Sequence, residues 1–245
     1  MQQCVRTVAC HFICVNLLLV CENLSVSIDK ALPQAYFLFQ KGRQMATLPK
    51  QIEIRRIILE KNLRIFSERD FRLLFDLNPW VAKYHLNKES KPDGLFIRLK
   101  KGLYTMRTDI PSDEEIANRL YQPSYISLET ALSRYGIIPE SVYATTSVTT
   151  KPTREFIIFQ KAYIFTTINK SAYTGYYLEK IGENGVLIAE PEKALADYLY
   201  HVVLGNKTLN DRLYLKNINL AKLNDYVALY QRKSLSKLVN KLLKQ

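Results

Sequence analysis

The stretch 67–104 constrains the fold of this 245-residue chain most strongly, because it carries two helix starts in close succession. Ser67 and Asp70 form a three-residue N-cap pattern, so a helix is expected to begin there. Asn78 can cap a second helix. Pro79 suits the first position of that helix, because its missing N–H needs no partner there. The pattern therefore predicts two short helices separated by a tight break.

The second helix, predicted from about Pro79 to about Glu89, has two unlike sides by the three- and four-residue neighbour rule. One side carries Ala82, His85, Leu86 and Glu89. The other side mixes cations, an amide and aromatic rings, as a helix that reads the major groove of DNA does. We expect five side chains on that side to contact bases: Trp80, Lys83, Tyr84, Asn87 and Lys88.

A two-stranded ribbon is predicted next, because Pro92 and Gly94 stop the helix and residues 95–99 alternate or stay apolar. Lys100 and Lys101 then occupy the predicted turn, where cations can contact phosphate without reading sequence. With a first helix over residues 51–62, this order predicts a winged helix-turn-helix at about residues 46–107. The same elements also occur as packing units that bind no ligand.

The charge of the chain favours an acidic partner. It has 35 basic and 23 acidic residues and a net charge of +12, which suits nucleic acid, an anionic membrane surface or an acidic protein. From residue 207 to residue 244, nine basic residues stand against two acidic ones, so this basic tail holds +7 of the +12.

Residues 1–44 differ in character from the rest. The cysteines, at positions 4, 10, 14 and 21, all lie there, so we expect a body without disulfides or cysteine metal sites, compatible with a reducing cytoplasm. Residues 8–21 are apolar but fewer than the roughly 20 needed to span a bilayer, and no membrane association is expected. A secretory signal is the alternative, although a small-residue cleavage pattern is missing. We expect Met45 to be the biological start and residues 1–44 to pack poorly on the rest.

Residues 112–245 are predicted to form a mixed α+β domain with a helical C-terminal tail. Helices are expected near 111–121, 127–135 and 191–202, with Gly136 closing the second. The β-branched and aromatic stretches 142–150, 155–159, 162–168 and 186–189 predict strands, and Gly182 to Gly185 a turn. The tail is predicted to be helical from Leu213, and its stripe of Leu235, Leu238, Val239 and Leu242 is expected to be core, with Ser234 as a cap.

The sequence offers little support for an enzymatic function. The three histidines are scattered, and neither a GxGxxG nor a GxxxxGK loop occurs, so no cofactor or metal is expected. One arrangement suits a metal-dependent nuclease: Glu190, Glu192 and Lys193 follow an apolar strand, with Asp197 one turn later. Acids in the first turn of a helix also simply satisfy its free N–H groups and dipole, and we prefer that interpretation. We therefore expect no enzyme.

Three further segments, in this order after the ribbon, give the chain a resemblance to a known family. They are PSYISLETALSRYGIIP at 123–139, TTSVTTKPTR at 145–154 and IAEPEKALAD at 188–197. Over about residues 46–205 the chain resembles the AbiEi family of abortive-infection antitoxins.

The resemblance implies a two-part regulator from a type IV toxin-antitoxin system used in phage defence. In that family the winged domain binds double-stranded DNA at the promoter of its own operon and represses transcription. The second domain counters a nucleotidyltransferase-like toxin without forming a stable complex with it. Carried over by position, the resemblance implies DNA contacts from Trp80, Lys83, Tyr84, Asn87 and Lys88, with Lys100 and Lys101 on the wing. The alternatives are a transcriptional regulator with a ligand-sensing domain and no toxin partner, and the metal-dependent nuclease.

Overall fold

A computed structural model of the protein describes residues 50–181 and 184–243. The expectations about residues 1–44 and Met45 lie outside the described residues. Inside them the chain is a mixed α+β protein with eight α-helices and two sheets, which confirms the predicted α+β class.

The α-helices are α1 Gln51–Glu60, α2 Glu68–Leu74, α3 Pro79–Glu89, α4 Asp113–Leu120, α5 Leu128–Arg134, α6 Pro191–Val203, α7 Leu220–Ala228 and α8 Lys233–Leu242. The strands are β1 Ile65–Ser67, β2 Phe96–Lys100, β3 Leu103–Met106, β4 Ser124–Ile126, β5 Thr145–Thr149, β6 Arg154–Ile158, β7 Lys161–Thr167, β8 Tyr176–Ile181 and β9 Asn184–Ala189. One turn of 3₁₀ helix covers Lys170–Ala172.

The first sheet has three antiparallel strands in the order β1-β3-β2. An aromatic cluster packs at its centre, where the rings of Phe66 and Phe96 meet edge to face with centroids 5.1 Å apart. Ile54 and Ile58 of α1 are fully buried as well. The sheet and helices α1 to α3 therefore share an apolar interior although each strand is short.

The second sheet has six strands in the order β6-β7-β5-β4-β9-β8. The pairs β5/β7 and β4/β9 are parallel and the other three pairs are antiparallel. Helix α6 lies in the interior and contacts α5, α7, α8 and β9. Leu187 of β9 pairs with Leu178 of β8 and is also held by Asn118 of α4. The Asn118 carboxamide accepts from the Leu187 N–H at 2.7 Å and donates to the Leu187 carbonyl at 3.3 Å.

The chain segments 50–74 and 78–243 belong to one compact unit. A continuous apolar core joins the first sheet, through Ile65 and Leu103, to the helices that pack with the second sheet. Arg64 strengthens this joint, because its guanidinium contacts Asp109 at 2.8 Å and Glu115 at 3.2 Å. Packing and ion pairs therefore connect the first sheet to the second across residues 107–112.

The predicted helical tail needs two corrections. Residues 213–219 are not helical; α7 begins at Leu220, where the side chain of Asn219 accepts the backbone N–H groups of Ala221 and Lys222. Helix α8 begins at Lys233 with Arg232 at the N-cap, so Ser234 is not the cap. The stripe on α8 is core as predicted, with Leu235 and Val239 fully buried.

Candidate nucleic-acid interface

Helix α3 begins as its sequence predicts. Asn78 is extended at the N-cap, and its side-chain oxygen accepts the backbone N–H of Val81 at 2.9 Å. Pro79 occupies the first helical position. The cap satisfies one of the free N–H groups of the first turn, so this end of α3 is stabilised without help from the side chains that face outward.

The two predicted sides of α3 separate in the structure. Ala82, Leu86 and Glu89 are buried, and all five residues proposed to contact bases are exposed: Trp80, Lys83, Tyr84, Asn87 and Lys88. Trp80 is 83% exposed and Tyr84 is 64% exposed. Large aromatic side chains so open to water, beside two lysines and an amide, form a surface suited to binding rather than to packing.

The far end of α3 is held in place by Glu89. Its buried carboxylate accepts from Gln51 Nε2 of α1 at 2.8 Å and from the backbone N–H of Leu95 at 3.4 Å. Gly94 lies so close that a Cβ there would stand 2.1 Å from the Glu89 carbonyl oxygen. Glu89 thus connects α3 both to α1 and to the start of the β2–β3 hairpin, which fixes how the exposed side of the helix is presented.

The loop between α3 and β2 is fastened a second time by Arg107. Its guanidinium donates to the carbonyls of Lys91, Gly94 and Phe96 at 3.0 to 3.3 Å. These three hydrogen bonds hold the loop against Arg107, which directly follows β3. The β2–β3 hairpin is therefore held rigidly beside α3.

The two lysines of the hairpin turn lie in different surroundings. Lys101 is exposed, and Gly102 takes the left-handed conformation that the turn requires, with φ +78°. Lys100 is half-buried, and its ammonium donates to the carbonyl of Leu120 at the end of α4. Burial lowers the pKa of Lys100, and the nearby charges of Lys151 and Arg154 lower it further. Lys100 fastens the hairpin to α4, which leaves Lys101 as the open cation of the turn.

The residues considered for a nuclease are engaged in internal contacts. Glu190 accepts from the Tyr226 hydroxyl at 2.8 Å, and Glu192 accepts the backbone N–H of Asn219 at 2.9 Å. Lys193 and Asp197 are 0% exposed and form an ion pair one helical turn apart. The two glutamates attach α6 to α7. Glu190 occupies the N-cap position of α6 and Glu192 lies in its first turn, as predicted, but Glu190 accepts no cap hydrogen bond from the first-turn N–H groups.

Asp197 is surrounded by donors. The Tyr125 hydroxyl at 3.0 Å and the Ser127 hydroxyl at 2.7 Å donate to one carboxylate oxygen. Lys193 and the Tyr230 hydroxyl donate to the other oxygen. Burial and the charge of Asp197 raise the pKa of Tyr125 and of Tyr230 well above 10, so both hydroxyls keep their protons and remain donors. With four donors on its two oxygens, Asp197 has a complete hydrogen-bond shell.

His201 is a buried imidazole near this cluster. It is 1% exposed, and neither ring nitrogen has a hydrogen-bond partner among the described residues. Burial lowers its pKa to about 4, so the ring is neutral near pH 7.

Residues 50–181 and 184–243 contain neither a metal-binding cluster nor a membrane-spanning helix. No group of three or more His, Cys, Asp or Glu side chains is placed to hold a metal ion. No helix in that part of the chain has the length and apolar character needed to cross a bilayer.

Comparison with protein-family models matched no family, and comparison with curated proteins gave no match.

Three exposed cations beside the hairpin were missed in the sequence. Arg98 lies on β2 between the apolar Ile97 and Leu99, and this alternation is the signal that marks an outward residue. Lys151 and Arg154 lie at the start of the β6–β7 hairpin, in the segment TTKPTR. Nothing local in that segment predicts that it lies near residue 100, because the pairing of the second sheet decides it.

Proposed function

We propose that the protein is a DNA-binding antitoxin that represses its own operon and counters a nucleotidyltransferase-like toxin. The observation that carries the DNA-binding half is the exposed side of α3, with its aromatic, amide and lysine side chains. The element order α1-β1-α2-α3-β2-β3 and the strand order β1-β3-β2 support a winged helix-turn-helix over residues 51–106.

In this proposal α3 enters the major groove. An asparagine such as Asn87 suits the N6 and N7 edge of adenine, and a lysine such as Lys83 or Lys88 suits the O6 and N7 edge of guanine. Lys101 at the hairpin turn contacts a phosphate and helps to set the register of α3 on the duplex. Trp80 and Tyr84 supply apolar contact with the groove, where the methyl group of thymine is the matching surface.

The antitoxin half rests on the resemblance, and the packing of the three segments that carry it gives it support. Asp197, from the third segment, accepts hydrogen bonds from Tyr125 and Ser127 of the first. Thr146, from the second, donates to the carbonyl of Ser127 at 2.7 Å. The three segments that carry the resemblance lie far apart in the chain, yet they meet in one buried network. This is expected if they belong to one domain.

The test of DNA binding is a mobility-shift titration with DNA from upstream of the gene and with unrelated DNA of equal length. The variants Tyr84→Ala and Asn87→Ala should lose about 1–3 kcal/mol of preference for the upstream DNA. Tyr143→Ala and Asn240→Ala are matched controls, since both positions are exposed and lie outside α1 to β3. Equal binding of the wild type to both DNAs would refute the proposal.

The test of the antitoxin half is growth rescue. The neighbouring nucleotidyltransferase-like gene, expressed alone, should arrest growth, and co-expression of this protein should restore it. Tyr84→Ala and Asn87→Ala should keep full rescue, because the residues that contact DNA lie apart from the α6 network. A harmless neighbouring gene, or arrest that this protein does not relieve, would refute this half and leave the DNA-binding half standing.

A second candidate function, a regulator with a ligand-sensing domain, is favoured by one observation. A cleft of about 700 Å³ lies between Arg64, α4 and the β8–β9 pair, with Tyr173 and Tyr176 in its lining. Its volume is in the range of small-molecule sites. Glu115 and Ser124, which also line it, each have a buried oxygen without a hydrogen-bond partner among the described residues. DNA binding together with no rescue of any neighbouring gene product would favour this candidate.

A further inference from the structure

Two exposed cations lie over the ring of Tyr121, next to the hairpin turn, and one half-buried cation lies nearby. Lys151 Nζ lies 5.5 Å from the centroid of the ring, and Arg154 Cζ lies 6.0 Å from it. Arg154 also lies over Phe156, with Cζ 5.3 Å from that centroid. Lys100 reaches the same place from the first sheet, since its ammonium contacts the carbonyl of Leu120. We call Lys100, Lys151 and Arg154 the Tyr121 cluster.

Among the described residues, no acidic side chain pairs with the Tyr121 cluster. None of its three cations makes an ion pair within 4.0 Å in the described part of the chain. The neighbouring Glu155 lies on the same strand as Arg154, and successive side chains of a strand point to opposite faces. Three like charges gathered without a carboxylate repel one another, and a bound anion would relieve that repulsion.

The loop that carries Lys151 is held rigidly by hydrogen bonds. The Tyr121 hydroxyl donates to the carbonyl of Pro152 at 3.1 Å, and Thr167 Oγ1 donates to the carbonyl of Lys151 at 2.7 Å. The backbone N–H of Lys151 donates to Thr149 Oγ1 at 3.1 Å. The backbone from which Lys151 projects is thus set before any ligand arrives, which lowers the entropic cost of binding one.

The cluster suits a phosphate group of a ligand better than a carboxylate group of another protein. Arg154 lies over the rings of Tyr121 and Phe156. Stacking on aromatic rings leaves the N–H groups at the edge of a guanidinium able to form a planar pair of hydrogen bonds with phosphate oxygens. The cluster directly adjoins Lys101, because Lys100 precedes that residue in the hairpin. Lys151 and Arg154 therefore lie on the side of the hairpin turn that Lys100 fastens to α4.

We propose that Lys151 and Arg154 form a second phosphate-binding surface that holds the backbone of the same DNA duplex beyond the groove occupied by α3. The inference rests on the proposed DNA-binding function. It extends the DNA footprint from residues 51–106 onto the six-stranded sheet. Lys100 acts as a positioning residue that fastens the hairpin beside this surface.

The experiment measures how the affinity for upstream DNA and for unrelated DNA depends on salt concentration, for the full chain. Lys151→Gln with Arg154→Gln should reduce the slope of log K against log salt by up to about 1.8, because each phosphate contact contributes about 0.9. Affinity should fall by the same factor for both DNAs, since phosphate contacts carry no sequence information. Lys237→Gln with Lys241→Gln is the matched control, because it removes the same charge from exposed positions on α8.

The outcomes separate the inference from the function on which it rests. A wild-type protein that does not prefer its upstream DNA refutes the proposed function, and the inference with it. Suppose that Asn87→Ala loses the preference for upstream DNA while the double variant Lys151→Gln with Arg154→Gln keeps the wild-type salt slope. That result refutes the inference and leaves the proposed function standing. An equal drop in slope for the α8 control also refutes it, since net charge would then explain the effect.

Discussion

Helix α3 and helix α6 use the same kinds of side chain in opposite ways. On α3, Lys83 and Tyr84 face water. On α6, Lys193 is fully buried and contacts both Asp197 and the Tyr230 hydroxyl. A lysine beside a tyrosine therefore does not by itself indicate a binding surface. The pair can bind a ligand only where its ammonium and hydroxyl groups do not already donate to acceptors within the protein.

The neighbouring sequence explains the difference. Helix α6 continues with the buried residues Ala194, Leu195 and Ala196, so the helix is buried on more than one side and carries the charged pair into the interior. Helix α3 has only Ala82 and Leu86 as buried apolar residues, enough to attach one side. We infer that α6 serves stability and α3 serves recognition, and the following variants test that contrast.

The largest effect is expected from Lys193→Met. Removal of the ammonium leaves the Asp197 carboxylate buried without its counter-charge, and breaking a buried pair in this way costs about 3–5 kcal/mol. Denaturant unfolding of the variant should show that loss. Lys237→Met on the exposed side of α8 is the control and should stay within about 0.5 kcal/mol. A loss below about 1 kcal/mol for Lys193→Met would contradict the role assigned to α6.

The next effect concerns pH and His201. Its pKa is lowered to about 4 in the folded protein, chiefly by burial and against the raising effect of Asp197 and Glu129, from an ordinary value of 6.5. Between these values the unfolded chain binds a proton that the folded chain does not bind. Stability should therefore fall as the pH drops from about 6.5 to about 4, by up to roughly 3 kcal/mol.

The contribution of His201 is measured against His201→Phe, which keeps a ring of similar shape and removes the titration. Unfolding free energies of both proteins should be determined between pH 4 and pH 8. The difference between wild type and variant should change with pH below about 6.5 and stay constant above it. A difference that does not vary with pH would show that His201 gains its proton equally in both states.

Some helix ends could be predicted from the sequence, because caps act within one turn, although the starts of α7 and α8 were not. Asn78 with Pro79 and Gly136 behave as predicted, and Ser112 forms a full capping box with Glu115. The strands β1 and β4 were missed because three residues are too few for a periodic pattern. They are strands only because β3, β5 and β9 pair with them.

The direction of Lys100 could not be predicted, although its presence in the turn could. Strict alternation places Lys100 on the same face as the exposed Arg98. The register shifts between Arg98 and Lys100, where Arg98 pairs with Tyr104 and Lys100 with Leu103. This bulge turns Lys100 toward Leu120, and such irregularities depend on the packing of α4 against the hairpin. The partners of Asp197 were equally hidden, because Tyr230 lies 33 residues away.

A smaller effect is expected at Gly94, which tests how α3 is held. A Cβ at Gly94 would meet the backbone oxygen of Glu89 at 2.1 Å, and backbone cannot move aside as a side chain can. Gly94→Ala should cost about 2–3 kcal/mol in unfolding free energy. Gly205→Ala is the control: Gly205 has φ +76° but nothing within 4 Å of the added Cβ, so it should cost about 1 kcal/mol. Equal costs would contradict the close approach.

The smallest effect on stability, and the sharpest contrast with α6, is expected at Trp80. It is the one tryptophan of the chain and is 83% exposed in the folded protein. Trp80→Ala should change the unfolding free energy by less than about 0.5 kcal/mol, because the side chain loses little contact on unfolding. For the same reason, unfolding should move the fluorescence maximum of the wild type only slightly.

DNA should have the opposite effect on that fluorescence. If α3 lies in the major groove, Trp80 becomes shielded from water by the duplex, and titration with upstream DNA should quench or shift its emission strongly. Acrylamide quenching gives an independent reading, since bound DNA should protect Trp80 from it. The variant with Lys151→Gln and Arg154→Gln should show the same change at saturation but need more DNA to reach it. Unprotected emission at saturating DNA would place the duplex elsewhere and remove α3 from the reading role.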